Sequence, residues 1–366
     1  MENHHESRSA LKVQQGIVQP ESVNIQAVKR LTHSKRGMLK PEEYLEGILS
    51  GNRTILSKAI TLIESSLPAH QQLAQEVIAI CLPYSGKSIR IGITGVPGAG
   101  KSTFIEALGI QLTKAGRKLA VLAIDPSSTR SKGSILGDKT RMEALSVDPS
   151  AFIRPSPSAG SLGGVARKTR ETIVLCEAAG FDTIFVETVG VGQSEVAVYA
   201  MVDFFLLLML AGAGDELQGI KRGIMEMADA IIINKADGDN RQKADIAAAQ
   251  VRNALHLYPV PNSGWMPVTA TCSAQTAEGI AGVWQIVQNY LSFAQGNGYF
   301  PLKRREQSRQ IMLDTINSFL IDKFYSSAST IALVKAIEPD LLSEKISPYA
   351  AAQTILDAYF SGLKKD

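Results

Sequence analysis

Cysteine is scarce in this 366-residue sequence: Cys81, Cys176 and Cys272 are far apart and form no CxxC pair. We therefore expect neither a disulfide framework nor a zinc site, and a reducing compartment fits this composition. The longest apolar run, residues 204–210, is far shorter than the roughly 20 residues of a membrane helix. The net charge of +3 is too small to indicate nucleic acid or an anionic membrane as a partner.

The start of the sequence is polar and lacks the apolar stretch of a secretory signal. The acidic residues Glu2 and Glu6 also argue against a mitochondrial transit peptide, so we expect a cytosolic protein. The first forty residues hold seven Lys or Arg against three Asp or Glu, and residues 1–38 show no sustained periodicity. They are predicted to form a flexible, solvated basic tail rather than a contact with an acidic partner.

Two changes of pattern divide the rest of the sequence. Residues 39–86 have helical periodicity and are predicted to form about three short helices. Over residues 87–296 strands alternate with helices, which predicts an α/β domain with a doubly wound, mostly parallel sheet. The six predicted strands lie near residues 89–93, 118–124, 182–187, 203–210, 230–233 and 266–271. Residues 297–366 are predicted to form two or three further helices.

A glycine-rich segment joins the first predicted strand to the following helix. It fits G-x-x-x-x-G-K-[ST], the phosphate-binding P-loop, in the strand–loop–helix context that the motif requires. Its glycines let backbone N–H groups turn toward a phosphate, and the helix N-terminus adds partial positive charge. Lys101 is expected to reach the β- and γ-phosphates and the Ser102 hydroxyl to bind Mg²⁺. The predicted phosphate-binding residues are Gly95, Val96, Pro97, Gly98, Ala99, Gly100, Lys101, Ser102 and Thr103.

A second motif predicts which base is bound. The segment Asn234-Lys235-Ala236-Asp237 follows an apolar strand and fits N-K-x-D. The Asp237 carboxylate would accept hydrogen bonds from N1–H and the exocyclic amine of guanine, which adenine cannot donate there. Asn234 would contact the base edge or hold the loops together, and the Lys235 stem would cover the base face. Ser273 and Ala274 end the next strand, where a backbone N–H is expected to meet the guanine oxygen.

Acidic residues end two of the predicted strands. Asp125 and Glu187 both lie on the P-loop side of the sheet. Because ligands bind at the carboxyl ends of parallel strands, both carboxylates are expected to face the phosphates. Mg²⁺ prefers oxygen ligands and keeps several waters. Ser102, Asp125 and Glu187 therefore form the predicted magnesium site, with one carboxylate binding directly and the other through water.

The segment Glu187-Thr188-Val189-Gly190 is similar to the D-x-x-G of GTPases, with Glu in place of Asp. The backbone N–H of Gly190 would meet the γ-phosphate, which makes this a loop that senses the nucleotide. Val191 stands where Ras-like enzymes have the glutamine that orients water. We therefore expect slow intrinsic hydrolysis that another loop or a partner accelerates.

Six motifs occur in a fixed order along the sequence: Gly95–Thr103, Asp125–Ser128, Gly160–Ala166, Glu187–Glu195, Gly214–Lys221 and Asn234–Asp237. In this order they resemble the MeaB/ArgK family of G-protein chaperones for cobalamin-dependent acyl-CoA mutases. The similarity extends from about residue 40 to the end and does not cover the basic tail. It is specific because simple P-loop proteins lack the segments 187–195 and 214–221.

The resemblance implies a P-loop NTPase fold and GTP hydrolysis coupled to adenosylcobalamin delivery and to protection or reactivation of the mutase. It implies GTP or GDP and Mg²⁺ as ligands, and a homodimer held by residues 297–366. The implied catalytic residues are Lys101, Glu187, Gln218 and Lys221, of which Gln218 and Lys221 would move toward the nucleotide. The implied partners are the mutase and a cobalamin adenosyltransferase, with no nucleic acid or membrane. Methylmalonyl-CoA mutase is the commonest client in the family, and isobutyryl- or ethylmalonyl-type mutases are alternative clients.

Three other functions are alternatives to this one. Older labels for the family describe a kinase or ATPase linked to periplasmic lysine/arginine/ornithine transport, which would require an export route or a membrane contact. A nickel-insertion GTPase would require metal ligands, whereas His4 and His5 are a lone pair in the tail. A targeting GTPase of the signal-recognition type would carry a Met-rich helical region, but residues 297–366 contain only Met312.

Overall fold

Three helices precede the sheet. The computed structural model describes residues 38–125, 142–157, 162–188, 194–211 and 222–363. Helices α1 (Pro41–Leu49), α2 (Arg53–Glu64) and α3 (Pro68–Cys81) confirm the helical prediction for this region. The Asn52 side chain caps α2 by accepting hydrogen bonds from the backbone N–H groups of Thr54 and Ile55, at 3.0 and 3.2 Å.

Seven strands form one sheet, in the order β3-β2-β4-β1-β5-β6-β7. Every neighbouring pair is parallel. The strands are β1 (Ile89–Gly95), β2 (Leu119–Asp125), β3 (Ala151–Pro157), β4 (Thr183–Thr188), β5 (Phe204–Leu210), β6 (Ala230–Asn234) and β7 (Val268–Thr271). The helices among and after them are α4 (Lys101–Lys114), α5 (Glu143–Val147), α6 (Leu162–Ala178), α7 (Ser194–Tyr199), α8 (Arg222–Met227), α9 (Arg241–Leu255) and α10 (Ile280–Gly296).

Strand β5 shows that helices cover both faces of this sheet. Its sequence is apolar throughout and its side chains are buried, as a parallel strand between two helical layers requires. Leu206 and Leu208 pack in a cluster with side chains of α4 and α10. Leu207 and Met209 point to the other face and pack in a cluster with α9. The predicted doubly wound α/β fold is therefore confirmed.

The edge strand β3 was not predicted from the sequence. It pairs with β2 alone, and Ala123 lies opposite Pro155 in the register. Pro155 and Pro157 cannot donate a backbone hydrogen bond, which weakens the strand signal and restricts such a segment to a sheet edge. The prediction of six strands was therefore wrong by one, and the omitted strand is the one with proline in it.

Three helices follow α10: α11 (Tyr299–Ser326), α12 (Ala328–Leu342) and α13 (Pro348–Leu363). The first turns of α11 dock where the strands begin. Arg304 there binds both carboxylate oxygens of the buried Asp203, at 2.8 and 2.7 Å, and its guanidinium also donates to the backbone oxygen of Ser88 at 2.6 Å. Gln307 donates to the Val202 backbone oxygen at 2.8 Å. Polar anchoring thus attaches α11 to the amino end of β5.

The later parts of α11 to α13 have many exposed apolar side chains. These include Met312, Ile316, Phe319, Leu320, Tyr325, Leu342, Tyr349 and Phe360. An exposed apolar surface of this extent is typical of a protein–protein interface. Within the described ranges, no helix combines the length and the apolarity needed to cross a membrane.

Candidate nucleotide-binding site

The glycine loop leaves β1 and enters α4 through backbone conformations that need glycine. Gly100 has φ +86°, and a Cβ there would lie 2.7 Å from Nδ2 of Asn234. A Cβ on Gly95 would collide with the backbone oxygen of Leu208 in the neighbouring strand β5. The two outer glycines of the motif are therefore required by close packing as well as by backbone freedom.

Lys101 opens helix α4 and is almost completely buried. Its ammonium donates hydrogen bonds to the backbone oxygens of Gly95 and Val96, at 2.8 and 3.2 Å. The two backbone oxygens thus hold the ammonium beside the glycine loop, and Lys101 lines the adjoining cavity. This position suits an ammonium that binds phosphate oxygens as a point charge.

The hydroxyl of Ser102 and the carboxylate of Glu187 meet at the carboxyl end of the sheet. Ser102 Oγ donates to Glu187 Oε1 at 3.1 Å, and Glu187 is largely buried at the end of β4. Two converging oxygens beside a phosphate-type loop fit the ligand preference of Mg²⁺. Asp125 ends β2, as predicted, but its side chain lies outside the described part of the structure.

One cavity of about 600 Å³ collects these groups. Besides loop residues, its walls include Glu187 and Thr188 from β4, and Ala123 and Ile124 from β2. Lys235 reaches it from the loop after β6. The cavity thus has two lysines, a carboxylate and a serine hydroxyl at the carboxyl edge of the strands, where ligands bind in open parallel sheets.

Asn234 joins the second predicted motif to the glycine loop. Only 1% of its surface is exposed. Its Nδ2 donates to the backbone oxygen of Ala99 at 2.8 Å, and its Oδ1 accepts from the Ala274 backbone N–H at 3.1 Å. Of the two roles considered for Asn234, the structure shows the one in which it holds the loops together.

The remaining residues of the second motif lie around this joint. Lys235 has a positive φ of 59°, an uncommon conformation that turns the chain sharply after β6. The Ser273 hydroxyl donates a short hydrogen bond to the Asp237 carboxylate. The Ser273 backbone N–H donates to the backbone oxygen of Glu278 at 2.9 Å. Because the Ala274 N–H is already used by Asn234, a guanine oxygen would have to compete with that bond.

Three residues of this region were missed in the sequence. Thr94 and Thr188 join β1 to β4 through a 2.9 Å hydrogen bond between their hydroxyls, and their positions follow directly from the register of Ile93 with Glu187. A hydroxyl near the end of each of two apolar strands was the available signal. Burial raises the pKa of Cys272 to about 12, so its thiol stays protonated and contacts Asn234 Oδ1 at 3.5 Å.

Several predicted residues cannot be placed. Gln218 and Lys221, and also Gly190 and Val191, lie outside the described ranges. The structure brings together Lys101, Ser102 and Glu187 in the cavity, and Asn234, Asp237 and Ser273 beside it. Their assignment as ligands of a nucleotide stays a prediction.

Comparison with known proteins gives a consistent result. Residues 56–329 match the model of a family described as methylmalonyl-CoA mutase-associated GTPase MeaB. A probable GTPase of Mycobacterium tuberculosis is 48% identical over 310 residues, which cover 85% of this chain and 92% of that protein. The methylmalonic aciduria type A homolog of Mus musculus, a mitochondrial protein, is 44% identical over 325 residues, which cover 86% of this chain and 78% of that protein.

The GTPase ArgK of Escherichia coli is 48% identical over 266 residues, which cover 73% of this chain and 80% of that protein. Among solved structures, one described as a LAO/AO transport system kinase superposes with a TM-score of 0.71 at 34% identity. That comparison covers 88% of this chain and 99% of the other.

Proposed function

The chain belongs to the family of methylmalonyl-CoA mutase-associated GTPases, MeaB, and on that premise we propose that its hydrolysis of GTP serves a cobalamin-dependent acyl-CoA mutase. In this proposal the protein couples GTP hydrolysis to adenosylcobalamin delivery and to protection or reactivation of the mutase. The observation that supports the site assignment is the Asn234–Ala99 hydrogen bond, which joins the segment proposed to recognise the base to the glycine loop. The two motifs of a guanine-nucleotide site are therefore adjacent in space.

Each part of the nucleotide has a proposed binding group. The glycine loop and Lys101 would hold the β- and γ-phosphates through backbone N–H groups and the ammonium. Asp237 would select guanine by accepting two hydrogen bonds from the base, with Asn234 holding the loops in place. Ser102, Glu187 and Asp125 would hold Mg²⁺, which supplies charge neutralisation at the phosphates when it is bound. Gln218 and Lys221 would complete the catalytic group from loop 214–221.

The proposed partner rests on family membership and on relatives. The family description names a mutase-associated GTPase, and a relative at 44% identity is named for methylmalonic aciduria. Methylmalonyl-CoA mutase is therefore the first client to test, with a cobalamin adenosyltransferase as the proposed source of the cofactor. A cytosolic location belongs to the same proposal and suits three cysteines that are all free and buried.

We also propose that the protein is a homodimer held by helices α11 to α13. Their exposed apolar side chains would be buried between two copies, which accounts for a composition that is otherwise unfavourable in water.

The test is the rate of GTP hydrolysis with and without purified mutases of the methylmalonyl, isobutyryl and ethylmalonyl types. We expect slow hydrolysis alone and acceleration by the client mutase, while Lys101→Ala binds no GTP and shows no turnover. Transfer of adenosylcobalamin from the adenosyltransferase to the mutase should then require GTP. If none of the mutases changes the rate, the client assignment is wrong although the chain remains a GTPase.

A second candidate function is favoured by the similar structure described as a transport system kinase. In that case the γ-phosphate would be transferred to an amino-acid-binding protein of a transport system. Incubation with γ-labelled GTP and such a protein distinguishes the two: label on the acceptor supports the kinase, and label found only in inorganic phosphate supports the chaperone.

A further inference from the structure

A second cavity lies at the opposite edge of the sheet from the glycine loop, where β5 and β6 begin. Its volume is about 290 Å³. The end of α7, the turn between α8 and β6, the loop after α9 and the start of α11 form its walls. We call it the basal pocket, and the residues used below are Tyr199, Glu226, Asp229, Tyr258, Val260 and Tyr299.

A carboxylate lies within the basal pocket. The Asp229 side chain is 14% exposed, and its Oδ2 accepts a hydrogen bond from the Phe205 backbone N–H at 2.9 Å. Lys303 forms a 4.0 Å ion pair with Asp229 and also donates to the backbone oxygen of Asp203 at 2.8 Å, and its ammonium lies 5.0 Å from the centre of the Tyr199 ring. Burial raises the pKa of Asp229 to about 6, so the carboxyl is mainly ionised at neutral pH.

The lining of the basal pocket is acidic and aromatic. Glu226 adds a second carboxylate, and Tyr199, Tyr258 and Tyr299 present aromatic rings. Among the sixteen described residues that line it, none is Lys, Arg or His. Lys303 supplies one positive charge against these two carboxylates, so the lining keeps a negative charge. A second cation, on an apolar stem, is therefore the group whose charge and shape complement this lining, through attraction to Asp229 and Glu226 and contact with the rings of Tyr258 and Tyr299.

The rim of the basal pocket is exposed and apolar. Val260 is 68% exposed, and Met266 is exposed as well. Pro259, Pro261 and Pro267 restrict the backbone of this rim, which lowers the entropy lost on binding. Apolar side chains that surround a small polar pocket are typical of a surface that binds another protein.

We propose that the basal pocket binds an arginine or lysine side chain of a partner protein, whose neighbouring apolar side chains pack on the rim formed by Val260 and Met266. The volume of about 290 Å³ suits one long side chain. The apolar rim can also contact the residues on either side of that side chain in a partner protein. A small free cation would make no such contact. The pocket lies at the strand edge opposite the nucleotide, so partner and nucleotide can be bound together.

Trp265 provides a local signal to test this. Its Nε1 donates to the backbone oxygen of Asp229 at 3.0 Å, and Trp284 is the only other tryptophan in the chain. The full-length Trp284→Phe protein is titrated with acetyl-Leu-Arg-Leu-amide, and Trp265 emission is followed. We expect saturable binding, about tenfold weaker binding of the citrulline analogue, which has the same shape without the charge, and about tenfold weaker binding of free butylguanidine.

Two substitutions and one control identify the groups. Asp229→Asn removes the carboxylate, and Val260→Lys places a cation on an exposed rim position where the fold is not at risk. Both are expected to weaken the tripeptide by about tenfold. Asp245→Asn, on the exposed surface of α9, should leave the affinity within about twofold. GTPase activity of each variant shows that it is folded.

Four results would overturn the proposal. Equal affinity for the arginine and citrulline peptides would show that charge does not contribute to binding. Unchanged affinity in both Asp229→Asn and Val260→Lys would show that the peptide does not bind in the basal pocket. Butylguanidine binding as tightly as the tripeptide identifies a site for a free cation. If Val260→Lys instead dissociates a dimer of this chain, the occupant is a second copy and the assignment to a different partner is wrong.

Discussion

At the scale of the residue, the proposed site makes the choice of base depend on the Asp237 carboxylate. Asp237→Asn replaces an acceptor of two guanine hydrogen bonds with an amide that donates one, so GTP affinity should fall about 100-fold. Xanthine has a carbonyl in place of the guanine amine, so XTP should gain affinity. Titration with GTP and XTP measures both effects. Asp239→Asn, an exposed neighbour, is the matched control, and a variant that keeps its preference for GTP contradicts the assignment.

A second prediction at this scale concerns Asp229 and pH. Burial raises its pKa from 3.8 to about 6, so the folded protein holds the proton more tightly than the unfolded chain. The stabilisation from this group is present below pH 3.8 and is lost as the pH rises through 6. The free energy of unfolding of the wild type relative to Asp229→Asn should fall by about 2 kcal/mol between about pH 4.5 and pH 7.

Urea unfolding at several pH values measures this difference. Asp245→Asn is the control because its carboxylate is exposed and should give no comparable pH dependence. A difference between wild type and Asp229→Asn that stays constant with pH would mean that Asp229 titrates normally in the folded protein.

The residues of the site were predictable where chemistry restricts the residue type. The glycine loop and Asn234–Asp237 are recognisable because phosphate and guanine each require particular groups at fixed spacing. The bonds of Asn234 to Ala99 and Ala274 were not predictable, because they join positions 135 and 40 residues apart. Thr94, Thr188 and Cys272 were missed for the same reason: their role arises from strand register.

At the scale of the element, Arg304 fixes α11 to the start of β5. Arg304→Ala leaves the buried Asp203 carboxylate without its cation, and a broken buried ion pair costs about 3 kcal/mol. We expect that loss in the free energy of unfolding, measured by urea denaturation. Arg305→Ala removes an exposed arginine from the next position and should change stability by less than about 0.5 kcal/mol. Equal losses in the two variants would contradict the anchoring role.

Helices and central strands were predictable because their periodicity is sustained. Helices α4 (Lys101–Lys114) and α9 (Arg241–Leu255) lie where the predicted alternation requires a helix, after the glycine loop and after the strand predicted near residues 230–233. The short helices α5, α7 and α8 and the strand β3 were missed. They have five to seven residues each, too few for a period to appear, and their structure depends on neighbours that are distant in sequence.

At the scale of the whole molecule, the exposed apolar side chains of α11 to α13 predict self-association. Phe319→Asp places a charge within this surface and should weaken a dimer by about 2 kcal/mol or more, which is about 30-fold in the dissociation constant. Sedimentation equilibrium over a range of protein concentrations measures it. Asn317→Asp adds the same charge at an exposed polar position two residues away. A wild-type chain that sediments as a monomer rules out the dimer directly.

The single amide of Asn234 has a consequence for how the two halves of a nucleotide cooperate. In the proposed site, a phosphate in the glycine loop and a base at Asp237 would lie on either side of the Asn234–Ala99 bond. Whichever half binds first would suppress the opening of this bond, and the second half would then bind a joint that is already held closed. Guanosine and pyrophosphate should therefore each raise the affinity of the other, and Asn234→Ala should abolish that mutual effect before it abolishes either affinity.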